Sequence, residues 1–175
     1  IISQVVGRLD VDKGIHTVIA VLASPEDRSC EKNWVVAGDL DHVIYEWYPE
    51  IRIGRVDLDN ETYVFEQHIP SPRSFLGMRG STNGVFYDGL YWFVTHVVVG
   101  DRGIARVYLH RLVALDPKLT KIVHASDPFV FEPGGDVEYC LGFRISSQGI
   151  VTFAYSVRDR FPCTLEISIF NLISF

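Results

Sequence analysis

The sequence predicts an all-β domain, built as part of a β-propeller of four-stranded antiparallel blades. Short runs rich in Val, Ile, Phe, Tyr and Trp recur along the chain, clusters of Gly, Asp, Asn and Pro separate them, and helical periodicity is scarce. A weak internal repeat of about one blade length favours a propeller over other all-β folds. We expect about three blades, at positions 17–67, 80–125 and 138–175, within a single domain over positions 1–175.

The apolar runs predict about a dozen strands at the even spacing of such folds. Residues that initiate turns or tolerate positive φ separate them, as at Gly38-Asp39, Asp88-Gly89 and Gln148-Gly149. The predicted strands are Thr17–Leu22, Trp34–Ala37, His42–Trp47, Ile51–Asp57, Thr62–Gln67, Gly84–Tyr87, Tyr91–Val98, Ala105–Leu115, Lys121–Ala125, Glu138–Ile145, Ile150–Ser156 and Thr164–Phe170.

The internal repeat consists of a polar or small cluster, a short strand, a turn and a more hydrophobic strand. Its three copies open at Glu31, Arg79 and Glu138. Because the first strand of a blade lines the central channel, these opening clusters should converge at the channel mouth, where ligands bind. Three blades do not close a ring and leave free edges and uncovered faces. We therefore expect further blades, from the same or another chain, as partners.

Composition excludes several classes of protein. A net charge of −6 with interleaved signs provides no basic stripe, so nucleic acid is not an expected partner. Cys30, Cys140 and Cys163 show neither metal-binding spacing nor a disulfide framework, which favours reduced thiols and a cytoplasmic location. The apolar runs are too short to span a membrane, so the protein should be soluble. Esterase, nucleotide-binding and dehydrogenase motifs are also absent.

Several short motifs follow one another in an order typical of one family. Gly80-Ser81-Thr82 precedes the Asp88-to-His96 strand, and Val107-to-Pro117, Asp127-to-Pro133 and Ala154-to-Asp159 follow. Together they resemble the carboxy-terminal half of the β-mannoside phosphorylases, which are five-bladed propeller enzymes. Each motif is short, and the collinear order over positions 31–175 gives the resemblance its weight.

The resemblance implies a carbohydrate-active enzyme for mannoside-like glycosides, with carbohydrate and either phosphate or a sugar nucleotide as partners. It also implies that the aspartate that protonates the glycosidic oxygen lies in amino-terminal blades outside this chain. Tyr48-Pro49 stands where the family has an arginine-proline that helps to hold phosphate, and Ser156-Val157-Arg158 replaces Gly-Ala-Ala. Hydrolysis, phosphorolysis and glycosyl transfer therefore all stay open.

Three acidic residues are candidates for catalysis, because sugar cleavage or transfer needs a carboxyl group that exchanges a proton with an oxygen. Glu31 and Glu138 open two of the repeats, and Asp159 follows a strong strand. Asp159 also resembles a family position that binds sugar hydroxyls. The alternatives are a turn aspartate for Asp159 and a solvated strand end for Glu138.

Four further residues are candidates for substrate binding. Lys32, Asn33 and Trp34 combine a cation, an amide and an aromatic face, which suits hydroxyl recognition and stacking on a sugar ring. His96 ends the most hydrophobic strand and resembles a family position that contacts phosphate or a leaving-group sugar. The alternatives are an ordinary core position for Trp34 and a buried, hydrogen-bonded core histidine for His96.

Arg106, Tyr108 and His110 complete the candidate substrate-binding set. They alternate along one strand, so they should share a face and form a polar wall, or be solvated if that face points outward. No close ligand pair such as His-x-His is present, so we expect no metal and no cofactor. The sequence thus predicts a carbohydrate-active enzyme domain. The alternative is a non-catalytic propeller module that binds glycan or protein.

Overall fold

The computed structural model describes residues 2–100, 106–134 and 137–173. Over these residues the chain forms β-strands and two short 3₁₀ turns, and no α-helix. The strands are β1 (Gln4–Asp10), β2 (Ile15–Leu22), β3 (Val35–Ala37), β4 (Asp39–Glu46), β5 (Glu50–Asp57), β6 (Thr62–Pro70), β7 (Arg79–Gly80), β8 (Val85–Tyr87), β9 (Leu90–Val99), β10 (Val107–Leu115), β11 (Ile122–Ala125), β12 (Glu138–Ile145), β13 (Ile150–Val157) and β14 (Phe161–Ser168).

These strands form four antiparallel sheets, and each sheet is built from strands that follow one another in the chain. Sheet 1 is β1–β2, sheet 2 is β3–β6, and sheet 4 is β12–β14. In sheet 3, β7 and β8 both pair with β9, which is followed by β10 and β11. The all-β prediction is confirmed at this level, as a series of antiparallel sheets.

Sheet 3 is covered on both faces by its neighbours in the chain. Phe93 belongs to a core shared with sheet 2, which contains Ile44 and Trp47. Trp92 and Val94 instead belong to a core shared with sheet 4. Successive side chains of a strand point to opposite faces, so the unbroken apolar run of β9 serves two cores at once.

Sheet 1 packs on the other face of sheet 2. Val6, Ala20 and Leu22 are buried there, with Trp34 and Val56 packed against them. The four sheets therefore stack face to face in chain order, and three interfaces bury the apolar side chains.

The first strands of sheets 2, 3 and 4 lie next to one another. The backbone N–H of Val36 in β3 donates to Asn83 Oδ1 at 3.0 Å, and the N–H of Gly84 donates to the carbonyl oxygen of Val36 at 2.7 Å. Tyr139 in β12 donates through its hydroxyl to the carbonyl oxygen of Ser81 at 3.4 Å. The segments that open the three repeats are therefore brought together by their own polar groups.

The predicted strands agree with β2–β6 and β8–β14 apart from their ends. β1 and the two-residue β7 were not predicted. The last strand was predicted at Thr164–Phe170, whereas β14 begins at Phe161, because Phe161 pairs with Val157 at the end of a tight hairpin. The predicted range 17–67 comprises β2, which pairs with β1 in sheet 1, and most of sheet 2.

Short elements complete the fold. The 3₁₀ turn Arg73–Phe75 buries Phe75 between sheets 2 and 3, and a second one spans Ile169–Asn171. The three cysteines have free thiols. Within the three described ranges, no helix has the length and apolar character needed to cross a membrane.

Candidate functional site

A cleft of about 460 Å³ opens where the chain enters sheet 2 and sheet 3. Residues 30–34, residues 45–48, residues 76–80 and Arg28 line it. Lys32, Asn33 and Trp34 are therefore placed together at one cleft. Glu31, a candidate acid, lines the same cleft.

The two sides of the cleft are joined by Asn33 and Gly80. Asn33 adopts a φ of 66°, and its Nδ2 donates a hydrogen bond to the carbonyl oxygen of Gly80 at 3.1 Å. A Cβ on Gly80 would lie 2.5 Å from the carbonyl oxygen of Asn33 and 2.5 Å from Val35 Cγ1. The approach of the two chain segments therefore requires glycine at position 80, since any side chain would push them apart.

Glu31 is buried, and its two carboxylate oxygens are both occupied. Oε1 accepts hydrogen bonds from the hydroxyl groups of Ser24 and, at 3.1 Å, Tyr45, and Oε2 accepts one from Trp34 Nε1 at 3.1 Å. Burial, followed by the hydrogen bond to Glu31, raises the pKa of Tyr45 above its usual range. The carboxylate of Glu31 thus satisfies three donors of the protein itself and ties them together beside the cleft.

Trp34 packs against neighbouring aromatic rings and also lines the cleft. Its ring lies 5.1 Å from both the Tyr45 and Tyr63 rings, between centroids, and its indole N–H is held by Glu31. These contacts are those of a core residue, as the alternative interpretation had it, although half-buried Trp34 also borders the cleft. Lys32 beside it is exposed at the rim.

His96 lies beyond β7 from the cleft, between sheets 3 and 4. It is buried, and its Nδ1 is 3.1 Å from the hydroxyl oxygen of Ser81. The imidazole stacks on Tyr108 with 5.6 Å between ring centroids, and the edge of Tyr139 lies 5.5 Å away. His96 therefore contacts the opening segments of both sheet 3 and sheet 4. Its burial and its hydrogen bond agree with the alternative interpretation of a buried core histidine.

The environment of His96 keeps its imidazole neutral. Burial, together with the positive charges of Arg79 and Lys32, lowers the pKa of His96 to about 4. An imidazole that is neutral at pH 7 can donate or accept a hydrogen bond to a ligand without adding a positive charge to those of Arg79 and Lys32.

Tyr108 and His110 share a face of β10, as predicted, but they have different surroundings. His110 is fully buried next to Phe131, with 4.7 Å between ring centroids, and neither ring nitrogen has a partner within the described ranges. Burial, followed by repulsion from His96 when that imidazole is protonated, lowers the pKa of His110 to about 3. His110 is therefore a core residue, whereas Tyr108 contacts His96. Arg106 is exposed just before β10.

Glu138 is fully buried at the first position of β12. Its Oε2 accepts a hydrogen bond from the backbone N–H of Phe131 at 2.8 Å, and Oε1 accepts one from the N–H of Glu132 at 2.9 Å. The alternative of a solvated strand end is thereby wrong. The carboxylate anchors the preceding loop to sheet 4 by accepting hydrogen bonds from two of its backbone N–H groups.

Asp159 is exposed at the tip of the β13–β14 hairpin. It has a φ of 53°, next to Arg158 at 55°, a backbone conformation typical of hairpin turns. The N–H of Arg158 donates to the carbonyl oxygen of Val137 at 2.7 Å, which puts the tip beside the start of β12. Asp159 thus lies at the end of sheet 4 where Glu138 and Tyr139 begin, without a described contact to the cleft.

Some residues of the cleft were not among the candidates. Arg79 and Tyr48 line it, and Trp47 lies against it with an indole N–H that has no acceptor among the described residues. The repeat pattern identified the segment opening at Arg79, but it did not separate the residues that line the cleft from those that pack behind it.

No protein-family model and no curated protein sequence matches this chain. Within the described ranges, no group of three or more His, Cys, Asp and Glu side chains is arranged to hold a metal ion.

Proposed function

We propose that this chain is a domain of a carbohydrate-active enzyme that binds a mannoside-like glycoside where the first strands of its sheets meet. The observation that carries the proposal is the convergence of the three opening segments. Asn33 forms a hydrogen bond with Gly80, and Tyr139 forms one with Ser81. His96 lies between the segments that open sheet 3 and sheet 4. Ligand sites form where side chains from separate elements converge on one concave surface.

The sheets are proposed to be successive blades of a propeller, about three of a five-bladed ring. Each is built from strands that follow one another in the chain, and sheet 2 and sheet 3 each have both faces packed against other sheets. Their first strands are neighbours, which is the position of the innermost strands around a channel. Sheet 1 then corresponds to the outer half of a preceding blade, and further blades are the expected partners.

The cleft has the chemical groups that sugar recognition needs. Half-buried Trp34 and Tyr48 supply aromatic surface for the apolar face of a pyranose ring. Lys32 and Arg79 supply exposed hydrogen-bond donors for hydroxyl groups or for a phosphate. Hydrolysis, phosphorolysis and glycosyl transfer all use such a site, and all three reactions stay open.

A second candidate is a non-catalytic module that binds a glycan. One observation favours it: Glu31 and Glu138 both use their two carboxylate oxygens as acceptors for donors of the protein itself. A general acid needs a carboxyl oxygen that reaches the glycosidic oxygen. In the enzyme proposal that acid comes from Asp159 or from blades outside this chain.

Binding is tested by calorimetric titration of the chain with a panel of mannosides, other glycosides and sugar phosphates. The proposal expects saturable binding of at least one glycoside, and a loss of about tenfold or more in affinity in Tyr48→Ala and in Lys32→Ala, because removing an aromatic platform or a charged donor costs more than 1.4 kcal/mol. Lys118→Ala, at an exposed position away from the cleft, is the matched control. Absence of binding across the panel would refute the proposal.

Turnover separates the two candidate functions. Incubation of the bound glycoside with the chain, with and without inorganic phosphate, is followed by release of reducing sugar or sugar phosphate. Release that disappears in Asp159→Asn supports the enzyme. Saturable binding without release, also after addition of a chain that supplies further blades, supports the binding module.

A further inference from the structure

A second cavity lies next to the cleft. It has a volume of about 400 Å³, and residues 2–3, residues 22–24, residues 27–29 and Glu31 line it. Arg28 and Glu31 line the cleft as well. We call this second space the adjoining cavity, since these two side chains form its common wall with the cleft.

The two spaces lie at ends of sheet 1 and sheet 2 that are joined to each other. The adjoining cavity lies where β1 begins and β2 ends, and Gln4 pairs with Leu22 at that end of sheet 1. The cleft lies where β4 ends and β5 begins. A parallel bridge between Ile2 and Cys30 joins the two ends, together with a hydrogen bond of 3.1 Å from Gln4 Nε2 to the carbonyl oxygen of Glu31. The two spaces therefore follow one another from sheet 1 to sheet 2.

Arg28, at the border of the two spaces, is fixed in place and still offers free donors. Its Nη2 forms ion pairs with Glu26 and, at 3.2 Å, with Glu46, and its guanidinium lies 5.0 Å from the centre of the Tyr45 ring. Arg52 pairs with the same two glutamates. The Arg28 side chain is 43% exposed, and its Nε and Nη1 have no acceptor in the described part of the chain. A guanidinium held in this way loses little side-chain entropy when it donates to a ligand.

The polar groups of the adjoining cavity suit an uncharged sugar. Exposed Ser3, Asp27 and Ser29 line it, and within the described ranges their side chains make no hydrogen bond. Hydroxyl and carboxylate oxygens accept hydrogen bonds from sugar hydroxyls, and serine and arginine donate to them. The carboxylate of Asp27 disfavours a phosphate or another anion, and the charge of Arg28 is already balanced by its glutamate partners. A neutral ligand rich in hydroxyl groups fits this combination.

We propose that the ligand is an oligosaccharide of at least two units, with one unit in the cleft and the next, an uncharged sugar, in the adjoining cavity. This inference rests on the proposed function, because it extends the sugar bound in the cleft. Volumes of about 460 and 400 Å³ are near the lower end of ligand sites, which span about 300–1,000 Å³, so two spaces in sequence suit a ligand of repeated units. Arg28 lies between the two units and determines the preference for longer glycans.

Calorimetric titration with linear manno-oligosaccharides of one to four units tests the inference. The affinity should rise about tenfold or more between one unit and two or three units, and then level off. Ser29→Phe should abolish this rise and leave the affinity for the single sugar unchanged, because Ser29 lines the adjoining cavity but not the cleft. Ser147→Phe, at an exposed position in the turn between β12 and β13, is the matched control and should keep the rise.

Arg28→Ala provides a second arm, with denaturant unfolding as the check that the variant stays folded. It should lower the affinity for the disaccharide about tenfold or more. Equal affinities for one and several units, a rise with length that persists in Ser29→Phe, or an undiminished disaccharide affinity in Arg28→Ala would overturn the inference and leave sugar binding in the cleft intact. Absence of binding by every member of the series would instead refute the proposed mannoside binding, and this inference with it.

Discussion

The side chain of Asn33 donates a hydrogen bond to the backbone of Gly80, 47 positions further along the chain. This bond links the segment that opens sheet 2 to the segment that opens sheet 3, at the cleft where the proposed ligand binds. The bond is possible because residue 80 has no side chain, so the stability of the fold and the shape of the cleft depend on the same position.

Gly80→Ala should therefore destabilise the protein. Its Cβ would lie 2.5 Å from the carbonyl oxygen of Asn33, and relief of that contact requires backbone movement, with an expected loss of about 1–3 kcal/mol in the free energy of unfolding. Gly142→Ala is the control, because a Cβ there has no heavy atom within 4 Å. Denaturant unfolding of both variants measures the difference. Equal losses at positions 80 and 142 would contradict the steric explanation.

The protein should lose stability in acid through its buried histidines. Burial lowers the pKa of His96 to about 4 and that of His110 to about 3, whereas both titrate near 6.5 when unfolded. The unfolded state therefore binds protons first as the pH falls, and stability that is complete at pH 7 declines below about pH 6.5. From His110 alone the loss by pH 4 is roughly 3 kcal/mol.

His110→Phe should reduce this acid sensitivity, because Phe cannot be protonated and fits the aromatic surroundings of Phe129 and Phe131. Denaturant unfolding at a series of pH values measures the slope. His16→Gln, which changes an exposed histidine, should leave the slope unchanged. A slope that is the same in wild type and His110→Phe would exclude His110 as a source of the acid lability.

Glu31→Gln should cost stability rather than only activity. The amide can accept through one oxygen, and its NH₂ group would face a donor that now bonds to the carboxylate, such as the indole N–H of Trp34. An unsatisfied buried donor costs about 1–3 kcal/mol. Glu66→Gln, in an exposed pair with Arg55, should change the unfolding free energy by less than about 1 kcal/mol. An unaltered melting temperature in Glu31→Gln would argue against the structural role.

Glu138→Gln should loosen the loop before β12. One of the backbone N–H groups of Phe131 and Glu132 would lose its acceptor inside the protein, at a cost of about 1–3 kcal/mol. Hydrogen exchange reports the two amides directly, and faster exchange at one of them is expected. Glu166→Gln, on the exposed face of sheet 4, is the comparison. Unchanged protection at both amides would disprove the anchoring role.

Strand positions were predictable because the alternation and the turn residues are local properties. β9 and β13 follow directly from apolar runs that end at Gly and Asp turns. β1 was missed although it contains Val5, Val6 and Leu9, since Gly7 interrupts the run at the bulge. The short β7 offers no pattern of its own and is defined only by its pairing with Thr95 and His96.

The roles of the candidate residues were less predictable. Glu31 and Glu138 look alike in the sequence, as acids before an apolar strand. Glu31 borders the cleft. Glu138 instead lies under the preceding loop, where the backbone N–H groups of Phe131 and Glu132 donate to its carboxylate. His96 and His110 also look alike, yet Nδ1 of His96 lies at hydrogen-bond distance from the Ser81 hydroxyl, whereas the ring nitrogens of His110 have no hydrogen-bond partner in the part of the chain that the structure describes. Such differences depend on which chain segment packs above each residue.

Twelve of the fourteen strands, their turns and the repeat that opens at Glu31, Arg79 and Glu138 could be predicted from the sequence, because these features follow from side-chain alternation and local backbone preferences. The tertiary structure decided which polar side chains meet. Asn33 and Gly80 are far apart in the chain, and their contact results from the packing of one sheet on the next. Long-range contacts of this kind have no local signal, since each depends on the whole stack of sheets between which it lies.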